Sequence, residues 1–137
     1  MTTAVRRSKS KYNAHRVTTN GGLTFDSKRE EKRYWQLKND PQVIAIEVHP
    51  SFEIFQPFRK CLPCRLILRK TKGDRCPVCG EKTIAFRGIS YVADFKVTYQ
   101  DGRVEIEDVK GVETEAFKLK KKMFEASHPH LTLRIVR

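Results

Sequence analysis

The sequence predicts an α+β fold, a mixed central β-sheet flanked by helices and interrupted by one small module. Three observations carry that expectation. Residues 27–38 and 113–126 repeat apolar side chains at helical spacing. Five other runs have the alternation or β-branched content of strands. All four cysteines fall inside one segment between those strands, in the pattern of a stapled insertion.

Along the chain, residues 1–20 are basic and poor in apolar residues, a flexible arm closed by Asn20-Gly21-Gly22. The domain proper is 21–137, interrupted by the module at 59–82. Ser27 to Lys38 is a helix from the spacing of Tyr34, Trp35 and Leu37, and it stops before Asp40-Pro41. Val43 to Val48 and Phe52 to Phe55 are strands separated by His49-Pro50, and 84–99 holds one long or two short strands. Gln100-Asp101-Gly102-Arg103 is a hairpin turn that returns the chain into a strand from Val104 to Lys110. A helix over 113–126 places Phe117, Leu119, Met123 and Phe124 toward the core and ends at His128-Pro129, before a last strand over 131–136.

With 137 residues, 39% hydrophobic content and a net charge of +12, the chain has room for one core and carries a strongly cationic field. Mean hydropathy is −0.58. No apolar run reaches the roughly 20 residues of a membrane-spanning helix, and the first residues lack the apolar centre of a secretion signal. The expectation is a cytoplasmic protein without a membrane partner. The cations cluster in three places. Arg6, Arg7, Lys9, Lys11 and Arg16 lie in the arm; Arg59, Lys60, Arg65, Arg69, Lys70, Lys72 and Arg75 lie in the cysteine segment; Lys118, Lys120, Lys121 and Lys122 lie in the last helix. Few acids interrupt them, a pattern that points to DNA phosphates and to binding that falls steeply with salt. Lys118 and Lys122 share a helix face and can act together.

Cys61-Leu-Pro-Cys64 and Cys76-Pro-Val-Cys79 are two CxxC knuckles separated by eleven residues, the second followed by Gly80. Two such loops aim four thiolates at one point, the donor set of a structural zinc ion. A site closed by four thiolates leaves no position for a substrate water, so this zinc would hold a loop and do no chemistry.

The strand from Val104 poses a different question. Alternation puts Val104 and Ile106 on the buried side and Glu105 and Glu107 on the wet side, so Asp108 and Lys110 fall in line with the core residues. Their Cα atoms are about 6.6 Å apart, near enough for both heads to meet at one site. Burying such a pair is costly unless it is paired, metal-bound or open to a cleft. Asp94, fourteen residues earlier on the neighbouring strand, could join Asp108 in an oxygen cage for Mg²⁺, with Lys110 beside it. Register decides this. A strict two-residue turn at Asp101-Gly102 sets Asp94 opposite Val109 and aims it away from Asp108; a three-residue turn, a bulge or splayed strand ends bring the two together. Asp94-Phe95-Lys96 is a second Asp-x-Lys, without a preceding acid on a strand.

An acid, then Asp-x-Lys across a hairpin, then a helix resembles the PD-(D/E)XK nuclease superfamily. Phe25-Asp26-Ser27-Lys28-Arg29-Glu30, Arg33-Tyr34, His49-Pro50 with Phe52-Glu53, Tyr91-Val92-Ala93-Asp94-Phe95 and Glu107-Asp108-Val109-Lys110-Gly111 resemble a phage-borne family of small uncharacterised proteins placed in that superfamily. The likeness spans most of residues 12–136 apart from the cysteine segment. Ala93 stands where the superfamily has proline before its first acid. The resemblance implies a restriction-endonuclease-like core and a metal-dependent endodeoxyribonuclease of a phage- or prophage-encoded kind, working in a bacterial host. It implies Asp94, Asp108 and Glu30 as ligands of Mg²⁺ or Mn²⁺, and Lys110 as the catalytic lysine. It extends to branched DNA and Holliday junctions as substrates, to a homodimer, and to phage recombination or replication proteins as partners. For Glu30 a second role stays open, because Ser27-Lys28-Arg29-Glu30 also fits a helix capping box. Two other readings of the whole chain also stand: a non-catalytic zinc-ribbon DNA-binding protein, and a nuclease subunit of a larger recombination or transposition complex.

Overall fold

The computed structural model describes residues 16–70 and 72–137. The elements are β1 (Val17–Thr18), β2 (Thr24–Phe25), α1 (Lys28–Lys38), β3 (Val43–Val48), β4 (Ser51–Phe55), β5 (Phe58–Lys60), β6 (Ile67–Leu68), β7 (Ile84–Phe86), β8 (Ile89–Val92), β9 (Phe95–Tyr99), β10 (Val104–Val109), α2 (Glu115–Ser127) and β11 (Thr132–Val136). The fold is α+β. No described helix is long and apolar enough to cross a membrane. Residues 84–99 form three strands, because Gly88 and the Ala93-Asp94 corner each break the ladder. The basic arm is also shorter than expected: Val17 and Thr18 pair with β2, and Arg6, Arg7, Lys9 and Lys11 lie outside the described residues.

A four-stranded sheet in the order β11-β10-β9-β3 forms the centre. β10 runs parallel to β11 and antiparallel to β9, which is antiparallel to β3. α2 supplies the crossover that a parallel neighbour requires. Phe25, Tyr34 and Leu37 pack with Phe95, Val97 and Tyr99 on one face, while Phe117 and Phe124 of α2 pack with Ile106, Ile54, Tyr91 and Ala93 on the other. Each helix starts on a side-chain cap: Ser27 Oγ accepts from the Glu30 N–H and Thr114 Oγ1 from the Phe117 N–H, both at 3.2 Å.

Because helices cover both faces, the expected wet side of β10 does not exist. Glu107 is fully buried and Glu105 nearly so. Arg33 of α1 crosses to Glu107 with two bonds, Nε to Oε2 at 2.8 Å and Nη2 to Oε1 at 2.7 Å. Leu119, placed toward the core by its spacing, is instead exposed at 61%, and Trp35 is exposed at 47%.

At His49-Pro50 and Ala93-Asp94 the paired strands bend together. β3 and β9 lie in the central sheet, and beyond the corner β4 pairs with β8 as a separate two-stranded stalk. The corner is held by His49 N–H to Asp94 O at 2.9 Å and Ala93 N–H to Pro50 O at 3.1 Å. His49 takes φ +53, the left-handed region that bulky residues avoid. The stalk carries the module β6-β5-β7 at its far end. Gly88 fits there because a Cβ would lie 2.7 Å from the Phe55 carbonyl oxygen.

Candidate functional site: a carboxylate–lysine centre and a four-thiol cluster

The turn between β9 and β10 has three residues, Gln100, Asp101 and Gly102. Tyr99 and Arg103 close it, with Tyr99 N–H on Arg103 O at 2.9 Å and Gly102 N–H on Tyr99 O at 3.0 Å. Gly102 has φ +83, which only glycine adopts at no steric cost. The ladder then runs Val104 with Thr98 down to Glu107 with Phe95. Continued one step, that register sets Asp94 toward Asp108, on the face opposite Glu107. At the corner the Asp94 N–H bonds Glu107 O at 3.1 Å, and the strands part. The N–H of Val109, left without a strand partner on that side, donates to Asp94 Oδ2 at 2.6 Å. The splitting of the sheet therefore frees the amide that fixes one acid in place.

Asp108 is 1% exposed. Its Oδ2 accepts from the Tyr91 hydroxyl at 2.5 Å. Burial, then the bond to Asp108, push the Tyr91 phenol well above its ordinary range, so it stays protonated and donates. Lys110 Nζ stands 3.2 Å from Asp108 Oδ1 and 4.9 Å from the centre of the Phe117 ring. That oxygen is buried without a well-directed hydrogen bond.

Glu30 is buried, as its helical stripe with Tyr34 and Leu37 implies. It also caps the helix: Oε1 accepts from Ser27 Oγ at 3.2 Å, and Oε2 from the Asp26 N–H at 3.0 Å, one residue further back than a capping box requires. Of the two roles expected of it, the cap is the one its contacts show. His49 Nε2 lies 3.6 Å from Glu30 Oε2, buried and without a hydrogen-bond partner.

Asp94 registers the assembled charges. Burial first, then the Asp108 carboxylate and more weakly Glu30, push it up to about 7, against the Val109 N–H and Lys110, which pull it down. Among the described residues, two groups bring one ligand atom each within 4.8 Å of one another: the four cysteines, and Asp26 with Glu30 and His49. Asp94, Asp108 and Glu30 are coupled by charge without closing to that spacing. Asp94 Oδ2 is held by the Val109 N–H. Lys96, of the other Asp-x-Lys, points to Glu47 at 4.0 Å.

The cysteines do converge. Cys61 and Cys76 are buried, and Cys61 Sγ lies 3.5 Å from Cys79 Sγ. The two knuckles have the same form: Cys61 N–H bonds Leu66 O at 3.0 Å, and Cys76 N–H bonds Glu81 O at 2.8 Å. After each second cysteine φ is positive, +74 at Gly80 and +56 at Arg65. N–H groups of Cys79 and Val78 pull the Cys76 thiol down to about 7. Bonding to Cys79 and burial push Cys64 up to about 12. Four such thiols cannot all ionise without a cation among them, and the set could hold a metal ion such as zinc.

The basic residues are less free than their sequence implied. Arg16 pairs with Asp26 at 3.3 Å and Lys118 with Glu115 at 2.9 Å. The groove along α2 that holds Lys118, Lys121 and Lys122 also contains Glu113, Glu115 and Glu125. Arg65, Arg69, Lys70 and Lys72 of the module are exposed and form none of the ion pairs found among the described residues.

Arg33, His49, Tyr91 and Glu107 stand in the motifs that carry the resemblance, but none of them has a role at the site from sequence alone, and Glu107 was expected on the wet side.

Fold and site together define an α+β protein in which a buried aspartate meets a lysine and four cysteines lie together. The profile of the family described as "Protein of unknown function (DUF1064)" matches residues 9–137, and the chain belongs to that family. Neither the curated proteins nor the solved structures contain a match.

Proposed function

We propose that the protein is a metal-dependent endodeoxyribonuclease with a restriction-endonuclease-like core, and that its four cysteines hold a structural zinc ion. The observation that supports the activity most is the three-residue turn, which satisfies the register condition for Asp94 and Asp108 to serve one centre. Asp108 Oδ1, buried with the Lys110 ammonium 3.2 Å away but no well-directed hydrogen bond, and the raised Asp94 form a carboxylate pair whose charge a divalent cation would offset. Asp94, Asp108 and Glu30 would hold Mg²⁺ or Mn²⁺; when bound, the ion polarises a phosphate oxygen and lowers the pKa of its water. Tyr91 fixes the orientation of Asp108. Lys110, partly exposed beside Asp108, would meet the phosphate and offset the charge that builds on it. The basic module grips the DNA backbone.

The test is a panel of four-way junction, flap, single-stranded and duplex DNA with Mg²⁺ or Mn²⁺, or with neither. Cleavage of at least one form is expected with metal, falling by 10³-fold or so in Asp108→Asn while binding persists. Binding without cleavage of any form by the wild type overturns the enzyme and leaves a DNA-binding protein.

The zinc assignment rests on burial. Among the described residues of 58–86, only Cys61, Cys76 and Thr83 are buried. A segment with so little apolar core needs a metal or covalent staple to fold. One zinc per chain is expected. Cys76→Ser should make 58–86 the first segment cut by protease while the central sheet stays protected, as read by mass spectrometry of the fragments.

A further inference from the structure

Cross-strand register puts Phe58, Lys60, Ile67, Ile84 and Phe86 on one face of the module. That face is not packed against the central domain. Ile67, Ile84 and Phe86 are exposed at 48%, 46% and 42%. The Phe58 and Phe86 rings stack at 4.7 Å with 6° between their planes. Phe55 meets Phe58 edge-on at 6.0 Å, and the Arg69 guanidinium lies 5.9 Å above Phe55. The result is an open row of three rings with a cation at one end. Residues 55–89 contain nine lysines and arginines against Asp74 and Glu81.

We propose that this face is a stacking platform for an unpaired nucleic-acid strand, with bases laid on Phe86 and Phe55 and phosphates met by Lys60, Arg69 and Lys70. The occupant follows from two properties held together. Exposed rings alone would suit any apolar partner, and surplus cations alone would suit duplex DNA. Rings beside cations suit a ligand that alternates flat π-faces with phosphates. In a duplex those base faces are already covered by their neighbours, so the row can use them only where strands are unpaired. This deepens the DNA-binding part of the proposed function and rests on that part, but not on hydrolysis. The same platform accepts DNA or RNA, since a base face carries no mark of its sugar.

The experiment measures binding of oligo(dT), oligo(U) and a duplex of equal length to zinc-loaded Asp108→Asn protein without added Mg²⁺, so that loss of cleavage cannot be mistaken for loss of binding. In that background Phe86→Leu keeps apolar bulk but removes the ring, and Phe86→Trp keeps a ring. Zinc content checks that each module is folded. Phe86→Leu should weaken oligo(dT) and oligo(U) about tenfold or more. Duplex affinity and the salt slope should not change, and Phe86→Trp should bind as the parent does. Equal loss on duplex and single strand, or no loss on either single strand, overturns the platform. So does equal loss in both Phe86 variants, which would mark Phe86 as packing only. Competition by polyglutamate against fluorescent oligo(dT) closes the remaining case: displacement at matched charge concentration overturns a role for the bases.

Discussion

Asp94→Asn should stabilise the divalent-free protein at pH 8 by about 2–4 kcal/mol while removing the proposed cleavage. Asp94 is half-buried, and its carboxyl is pushed up to about 7 by burial and the Asp108 charge. Unfolded, it titrates near 3.9, so between pH 4 and 7 the unfolded chain has released a proton that the folded chain retains. Folding stability falls across that window and levels off above it. The full displacement corresponds to about 4 kcal/mol, taken here as an upper bound. Asparagine can still accept from the Val109 N–H and carries no charge. The melting difference between variant and wild type should therefore be near zero at pH 4, widen through pH 7, and reach roughly 10 °C at pH 8. Saturating Mn²⁺ should shrink it by stabilising only the wild type. A difference that stays flat with pH would show that Asp94 is not held at the cost of stability.

Arg33→Ala should destabilise the protein by about 3–5 kcal/mol, the expected cost of stranding a buried charge. Glu107 is fully buried, and both its oxygens are bonded to Arg33. Of a total stability of about 5–15 kcal/mol, that is a large share. Arg33→Met with Glu107→Leu should recover most of it, because the double variant removes the charge as well as its partner. Urea unfolding of the single and double variants checks this. A double variant as unstable as Arg33→Ala would mean that the pair anchors α1 by geometry that apolar packing cannot replace. The single variant should also lose the proposed cleavage, since α1 carries Glu30.

Much of this arrangement was legible in the residues. Ser27 and Asp40-Pro41 bound α1, and β3 has the limits its alternation implied, because caps, prolines and period are local signals. The Cys61–Cys79 spacing foretold a shared point for four thiols. What alternation could not say was whether the second side of β10 would be covered. It tells which side chains share a face, while the presence of α1 over Glu105 and Glu107 depends on contacts with residues more than seventy positions away. The turn was ambiguous for a similar reason. Gln100-Asp101-Gly102-Arg103 fits a two- or three-residue loop, and a change of one residue inverts the face of every side chain in the ladder. The contacts of Tyr91 and His49 were not legible because their partners are set by the corner at His49-Pro50, which no periodicity encodes.

The stalk has one last implication. Phe55 and Ile89 already face each other across β4 and β8, so a turn of a few residues between them would close the hairpin without the thirty-three residues that now intervene. The segment 56–88 thus meets the rest of the fold at a single seam, and excising it there should leave the pairings of the central sheet as they are.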